Sequence, residues 1–193
     1  RLVRPKALID INGLDELAST HVGDATISTG TLTRQAAAMK FPALMSGVPL
    51  LAKALPNVGH YQTRSRGTLG GSVAHADPSA EIPLTLVTLA GAVNLQSPGG
   101  KRDVPAREFF HGLLTTDRRA DELITGLTWP IRRAQTGYAF EEIAQRHGDF
   151  AIAAVAVEVT VGGDGTIADL SLGLGGIEDR PLVRKGDVSP DHF

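Results

Sequence analysis

Apolar and polar positions alternate most clearly in the last third of the chain. Residues 151–161, AIAAVAVEVTV, predict a long strand, and Gly162-Gly163-Asp164-Gly165 a turn. The returning strand spans 166–175, with Ile167, Leu170, Leu172 and Leu174 in alternation. Upstream, residues 122–130 read as a strand ended by Pro130. Residues 92–96 and 101–104 flank Pro98-Gly99-Gly100 and predict a hairpin. Residues 25–30 alternate as a further strand, and the β-branched run at 7–11, closed by Asn12-Gly13, reads as a first one.

Helical patterns lie between these strands. Residues 31–39 begin with threonines and continue in good helix formers. Residues 48–55 predict a helix with Pro49 in its first turn and Pro56 as its stop. Residues 84–90 predict an apolar helix restarting after Pro83, and 105–112 a short helix whose Phe109-Phe110 pair belongs in a core. Trp129 also reads as a core residue. Residues 131–136 look like a linker, which divides the chain into units at 1–133 and 134–193. From Val183 onward the sequence is polar, with Gly and Pro, and reads as a loose tail.

One stretch fits neither pattern. Gly67-Thr68-Leu69-Gly70-Gly71-Ser72-Val73-Ala74-His75-Ala76-Asp77-Pro78-Ser79-Ala80-Glu81 has three glycines in five residues, then small residues and a turn sequence. Glycine permits positive φ and close approach of another molecule to the main chain, and free amides in such a loop form an anion-binding concavity. Asp77-Pro78 reads as a helix cap and first helical position, so the expectation is a glycine loop leading into a helix. It has neither the Gly-Lys-Ser/Thr of a P-loop nor a Gly-x-Gly-x-x-Gly spacing, and bare spacing by itself favours a tight strand-to-helix turn. Arg64 and Arg66, at alternate positions, would share one side of an extended segment, either neutralising phosphate or forming a solvated pair at a sheet edge.

Composition narrows the function classes. The chain of 193 residues has 19 basic against 21 acidic residues, a net charge of −2, which gives no electrostatic case for nucleic acid or an anionic membrane. No apolar run is long enough to span a bilayer. There are no cysteines, so this sequence offers no disulfide, thiolate nucleophile, cysteine-ligated zinc or cysteine-ligated iron–sulfur cluster.

The string Arg64-Ser65-Arg66-Gly67-Thr68-Leu69-Gly70-Gly71-Ser72, followed by Ala74-His75-Ala76-Asp77-Pro78, resembles the flavin loop of the molybdenum hydroxylase flavoproteins. These are the medium subunits of enzymes like carbon monoxide dehydrogenase and xanthine dehydrogenase. The entry Arg4-Pro5 to Leu8-Ile9-Asp10-Ile11 and the segment Gly175-Gly176-Ile177 before Arg180-Pro181 extend the resemblance over nearly the whole chain. It implies an α+β fold: the second subdomain of a PCMH-type FAD-binding domain, with mixed or antiparallel sheet and helices, then the start of the family's antiparallel C-terminal domain. The family's first subdomain, with its Ala-Gly-Gly FAD loop, has no counterpart in this sequence.

The resemblance implies FAD as cofactor and Thr68, Leu69, Gly70, Gly71, Ser72, Ala74, His75, Asp77, Glu81 and Ile124 as its contacts. In the family the matching loop wraps the FAD diphosphate. Ser72 stands where asparagine is usual, and a hydroxyl still donates and accepts. Glu81 stands where the family has an aspartate on the adenosine ribose, and Ile124 where it has an apolar contact to the flavin. Read on its own, Glu81 is equally an exposed first-turn helix acid. His75 alone allows a metal ligand, a covalent flavin anchor or a base, and reads best as a polar residue near the cofactor. Glu141-Glu142 falls where family members often place a lysine near the flavin, and both acids are expected to face solvent.

The function implied is an electron-transfer subunit in the cytoplasm. A molybdopterin-binding large subunit would oxidise substrate, an iron–sulfur small subunit would relay electrons to FAD here, and an external acceptor would take them. The alternatives are a non-catalytic remnant or assembly module of such a complex, and a stand-alone flavin oxidoreductase.

Overall fold

A computed structural model describes residues 5–186. In chain order its elements are β1 (Thr20–Val22), β2 (Thr26–Gly30), α1 (Gln35–Ala38), α2 (Pro42–Gly47), α3 (Pro49–Ala54), α4 (Tyr61–Arg66), α5 (Leu69–His75) and α6 (Glu81–Thr88). There follow β3 (Ala92–Ser97), β4 (Gly100–Pro105), α7 (Ala106–Phe109), β5 (Phe110–Gly112), β6 (Thr115–Thr116), β7 (Leu123–Pro130), β8 (Thr136–Ala144), β9 (Ala151–Val161), β10 (Ile167–Gly175) and β11 (Leu182–Gly186). The fold is α+β with antiparallel sheets, as the sequence implied.

The larger sheet has five strands in the order β1-β2-β7-β3-β4. Ile27 pairs with Trp129 and Val93 with Leu127, so the apolar alternation of three strands meets on one face. A bulge between Asn94 and Leu95 pairs Gly126 and then Ile124 with adjacent residues of β3. The extra residue on β7, Thr125, reverses the alternation, and Ile124 becomes buried on the same side as Leu127 and Trp129. Trp129 is fully buried and its indole Nε1 donates to Thr29 Oγ1 at 3.0 Å, so its polar end is satisfied. Phe109 and Phe110 are buried edge to face at 5.3 Å.

The second sheet, in the order β11-β10-β9-β8, lays one face on α3 and α6. On β9 and β10 that face is small, Ala154, Ala156, Ser171 and Gly173, with Phe140 of β8 buried beside Ala156. A Cβ on Gly173 would stand 1.9 Å from Thr88 Oγ1, so the sheet approaches α6 more closely than any side chain there would permit. All eight residues of α6 are buried, and the hydroxyls of Thr85 and Thr88 donate to Glu81 O and Leu84 O at 2.7 and 2.8 Å. Both sheets and the helices share one core, from Ile27 to Ala156.

Several expectations are corrected. Residues 7–11 form no strand; no partner strand lies beside them among the described residues, and Leu8 and Ile9 are 89% and 86% exposed. The helix expected over 31–39 is reduced to α1, because Arg34 bridges to Thr68 and holds 31–34 extended or turned. Pro83 lies in the first turn of α6, where its missing N–H has no intrahelical partner to lose, so the helix does not restart after it. Arg64 and Arg66 are on α4, not on an extended segment. The tail expected from Val183 begins as β11, paired with β10 from Leu182↔Leu174 to Gly186↔Leu170; its remainder, 187–193, lies outside the described residues, as does Arg4.

Candidate functional site

The glycine stretch is itself a helix. Thr68 is the N-cap of α5, its Oγ1 accepting from Gly71 N at 2.9 Å. Glycine is a poor helix former, so this helix depends on its surroundings. Leu69 N donates to Thr33 O at 2.9 Å and Gly70 N to Thr31 O at 3.1 Å, tying the first turn to the segment before α1. Neither Gly70 nor Gly71 has positive φ, which corrects the loop reading. Gly70 is needed for contact instead: a Cβ there would lie 1.9 Å from Thr31 Oγ1 and 2.6 Å from Thr31 Cα. A Cβ on Gly71 would meet Thr68 Oγ1 alone, at 2.7 Å.

α5 stops at Ala76, left-handed with φ 54°. Asp77 does not cap the next helix. Its Oδ1 accepts from Ser79 N at 2.9 Å in a local turn, and α6 begins four residues later at Glu81. Leu69, Gly70 and Val73 are buried on one side of α5, while Gly71, Ala74 and His75 face outward.

Two cavities meet at this outward side, and Gly71 lines both. The larger, about 430 Å³, is walled by Gln35, Ser72, His75, Glu81 and, from the hairpin loop between β8 and β9, Asp149 and Phe150. The smaller, about 200 Å³, is walled by Thr68, Gly70, Ala74, Arg118 and Ile124. Of the residues singled out in the sequence, Thr68, Gly70, Gly71, Ser72, Ala74, His75, Glu81 and Ile124 are thus brought together. Leu69 is not: it is fully buried in the core. Asp77 lies in the turn and lines neither cavity.

Glu81 is not the exposed acid that its place in a first helical turn suggests. It is 5% exposed. Burial pushes its carboxyl up to about 7; its own backbone amide opposes this, while Glu142 and Asp77 add to it. Glu142 also departs from expectation. It is half-buried, burial pushes its carboxyl up against the pull of His147, and its Oε2 is buried without a partner. Glu141 faces solvent as expected. Gln35, 4% exposed, has its Oε1 buried without a partner, while its Nε2 makes only a long contact to Thr68 O at 3.4 Å. Unpartnered buried acceptors are uncommon in a folded protein. Here Gln35 borders the larger cavity with its Oε1 packed toward Gly67, and Glu142 Oε2 belongs to the acid that faces Glu81.

The smaller cavity is bordered by an ion cluster. Arg102 grips Glu122 with its Nε and Nη2, at 2.6 and 2.8 Å, and donates from Nη1 to Asp117 at 2.6 Å. The Arg102 guanidinium and the Arg119 amide hold the Glu122 carboxyl down at about 2. Arg118 projects from the loop between these acids. Of the two arginines that the sequence offered either for phosphate or as a solvated pair, Arg64 is engaged elsewhere, donating to Val58 O and Gly59 O at 2.9 and 2.7 Å, and Arg66 lines neither cavity.

Gln35, Arg118 and Phe150 escaped sequence reading. Each reaches the site from a different part of the chain, and no local spacing links them to the glycines. The one available signal was Arg102 with Asp117 and Glu122, a charge pairing that only the β3–β4 hairpin and β7 bring together.

Comparisons with known proteins agree with this architecture. Residues 1–132 match the family described as the FAD binding domain in molybdopterin dehydrogenase, and residues 138–186 the CO dehydrogenase flavoprotein C-terminal domain. The glyceraldehyde dehydrogenase medium chain of Sulfolobus acidocaldarius is 35% identical over 94% of this chain and 64% of its own. Among solved structures, carbon monoxide dehydrogenase from Hydrogenophaga pseudoflava, lacking the Mo-pyranopterin moiety of its cofactor, is similar with a TM-score of 0.91. It is 32% identical, over 95% of this chain and 63% of that one. Quinoline 2-oxidoreductase from Pseudomonas putida 86 is similar with a TM-score of 0.89 and 34% identity, over 95% of this chain and 63% of that one. The chain therefore spans less than two thirds of the length of each.

Proposed function

The chain belongs to the FAD-binding medium-subunit family of the molybdenum hydroxylases, and from that premise we propose that it seats FAD across Gly71 and passes electrons within a molybdenum-containing dehydrogenase. The observation that carries this reading is the pair of cavities sharing Gly71: a dinucleotide is a two-ended ligand with a diphosphate in the middle. When bound, the flavin supplies the redox chemistry.

The protein's own groups then have distinct roles. Gly70 and Gly71 keep side chains away from the main chain between the cavities, and Thr68 fixes the first turn of α5. Ile124 and Ala74 give the smaller cavity an apolar wall, which suits one planar ring system. Gln35, Ser72, His75 and Glu81 give the larger one hydrogen-bonding groups. Near neutral pH part of Glu81 is protonated and can donate as well as accept.

The stretch has no cysteine, so in this reading iron–sulfur clusters sit on a small partner subunit, molybdopterin on a large one, and an external acceptor takes the electrons from FAD. No helix among the described residues is long and apolar enough to cross a membrane. In this reading the complex works in the cytoplasm. The FAD-binding unit is taken as 1–133 and the C-terminal-type unit as 134–193. Purification of the protein in its native reading frame tests the proposal. Stoichiometric FAD and a co-purifying molybdenum-bearing chain are expected; a colourless protein without such a partner would refute it.

A further inference from the structure

We propose that Arg118 binds the diphosphate of the dinucleotide, an assignment that rests on the flavin reading above. The argument is one of charge and of free donors. Among residues lining the two cavities that meet at Gly71, Arg118 is the one lysine or arginine. The other ionisable groups there are Glu81, Asp149, Glu122 and His75. A diphosphate carries about two negative charges, and without Arg118 it would face three acids and a single histidine among these lining groups.

Arg66, at the end of α4, lines neither cavity, and three other arginines near the stretch are engaged. Arg64 caps the carbonyls of Val58 and Gly59. Arg34 donates to Arg66 O and Asn12 Oδ1. Arg102 has its three outer edges on Glu122 and Asp117. Arg118 differs from all of them. Its Nη1 donates to Arg119 O and Glu122 O, both at 2.8 Å, which fixes the guanidinium without neutralising it. Among the described residues no carboxylate comes within ion-pair distance of it, and its Nε and Nη2 make no hydrogen bond.

The loop that carries Arg118 is also prepared. Arg102 ties Asp117 on one side of Arg118 to Glu122 on the other, and Arg119 N adds a bond of 2.7 Å to Glu122 Oε2. Arg102 is thus a positioning residue for Arg118. A preset guanidinium with two free edges beside Gly70 and Gly71 suits phosphate oxygens better than a mobile lysine would.

The test is FAD titration, followed by flavin fluorescence at several salt concentrations, into flavin-stripped protein in its native reading frame, with Arg118→Gln and Arg118→Lys beside it. Arg118→Gln should weaken FAD binding roughly tenfold to a hundredfold and flatten its salt dependence. Arg118→Lys should keep the salt dependence while losing part of the affinity. The melting temperature of the apoprotein should stay close to that of the wild type, because Arg118 is exposed. Unchanged affinity in Arg118→Gln, or a loss with the salt dependence intact, would overturn the assignment. Failure of the wild type to bind FAD at all would instead remove the flavin reading, and the assignment with it.

Discussion

Gly70-Gly71 on α5 and Gly173-Gly175 on β10 are both places where missing side chains let two elements meet, and they end in opposite conditions. At β10 the contact is closed. Gly173 faces Thr88 Oγ1, Gly175 faces Leu84, and the hydroxyls beside Gly173 are satisfied, Ser171 Oγ donating to Thr88 O and Thr88 Oγ1 to Leu84 O, both at 2.8 Å. At α5 only Gly70 is closed in this way, against Thr31. Gly71 looks onto open space on two sides, and the Gln35 Oε1 near it has no partner. Packing glycines and site glycines look alike in a sequence. The polar groups around them tell them apart, since a finished interface leaves few acceptors unpaired.

The largest effects should come from the closed contacts. Gly173→Val and Gly70→Val each push a side chain into backbone or a fixed hydroxyl, and each should destabilise the apoprotein by about 3 kcal/mol, read as a lower urea midpoint. A loss under 1 kcal/mol at Gly173 would mean that the sheet can move off α6, and the contrast between the two places would blur.

Glu81→Gln comes next and depends on pH. The folded-state value of about 7 lies above the ordinary 4.5, so the folded protein holds a proton that the unfolded chain releases. The resulting penalty is absent below about pH 4.5, grows as pH rises toward 7 and is constant above it. Removing the charge should therefore stabilise the apoprotein at pH 8 by up to about 3 kcal/mol and change little at pH 4.5. Urea midpoints of both proteins across this range check the sign; a difference that grows toward low pH would contradict it.

Gln35→Leu should have the smallest effect. It removes an unpartnered buried acceptor while keeping most of the volume, and should raise the apoprotein's stability by about 1 kcal/mol while weakening FAD. Thermal melts with and without FAD separate the two; lower apoprotein stability would show that the amide is already satisfied.

What the sequence revealed follows the same division. The hairpins, β7, Trp129 and the phenylalanine pair were legible because local alternation and burial carry them. The helical state of Leu69–His75 was not. Glycines argue against helix, and α5 exists because Thr68 caps it and the carbonyls of Thr31 and Thr33, far away in the chain, receive its first amides. The members of the stretch were identified through family resemblance, and the structure gathers all but Leu69 and Asp77 of the ten at the cavities. For Glu81 the sequence leaves an exposed first-turn acid as open as a cofactor contact; the structure buries it on α6. Arg118 stayed hidden because its setting is made by Arg102 reaching across from another strand, a pairing without local signature.

The central claim, that the dinucleotide lies over Gly71, is tested most directly by titrating FAD into flavin-stripped wild-type protein and Gly71→Val, with apoprotein melting curves beside it. The valine methyls would enter the space shared by the cavities, while the protein itself loses only an undistorted Thr68 cap, about 1 kcal/mol. The account predicts a small drop in apoprotein melting temperature and a fall in FAD affinity of about a hundredfold or more. Equal affinity of the two folded proteins for FAD would place the cofactor elsewhere and contradict it.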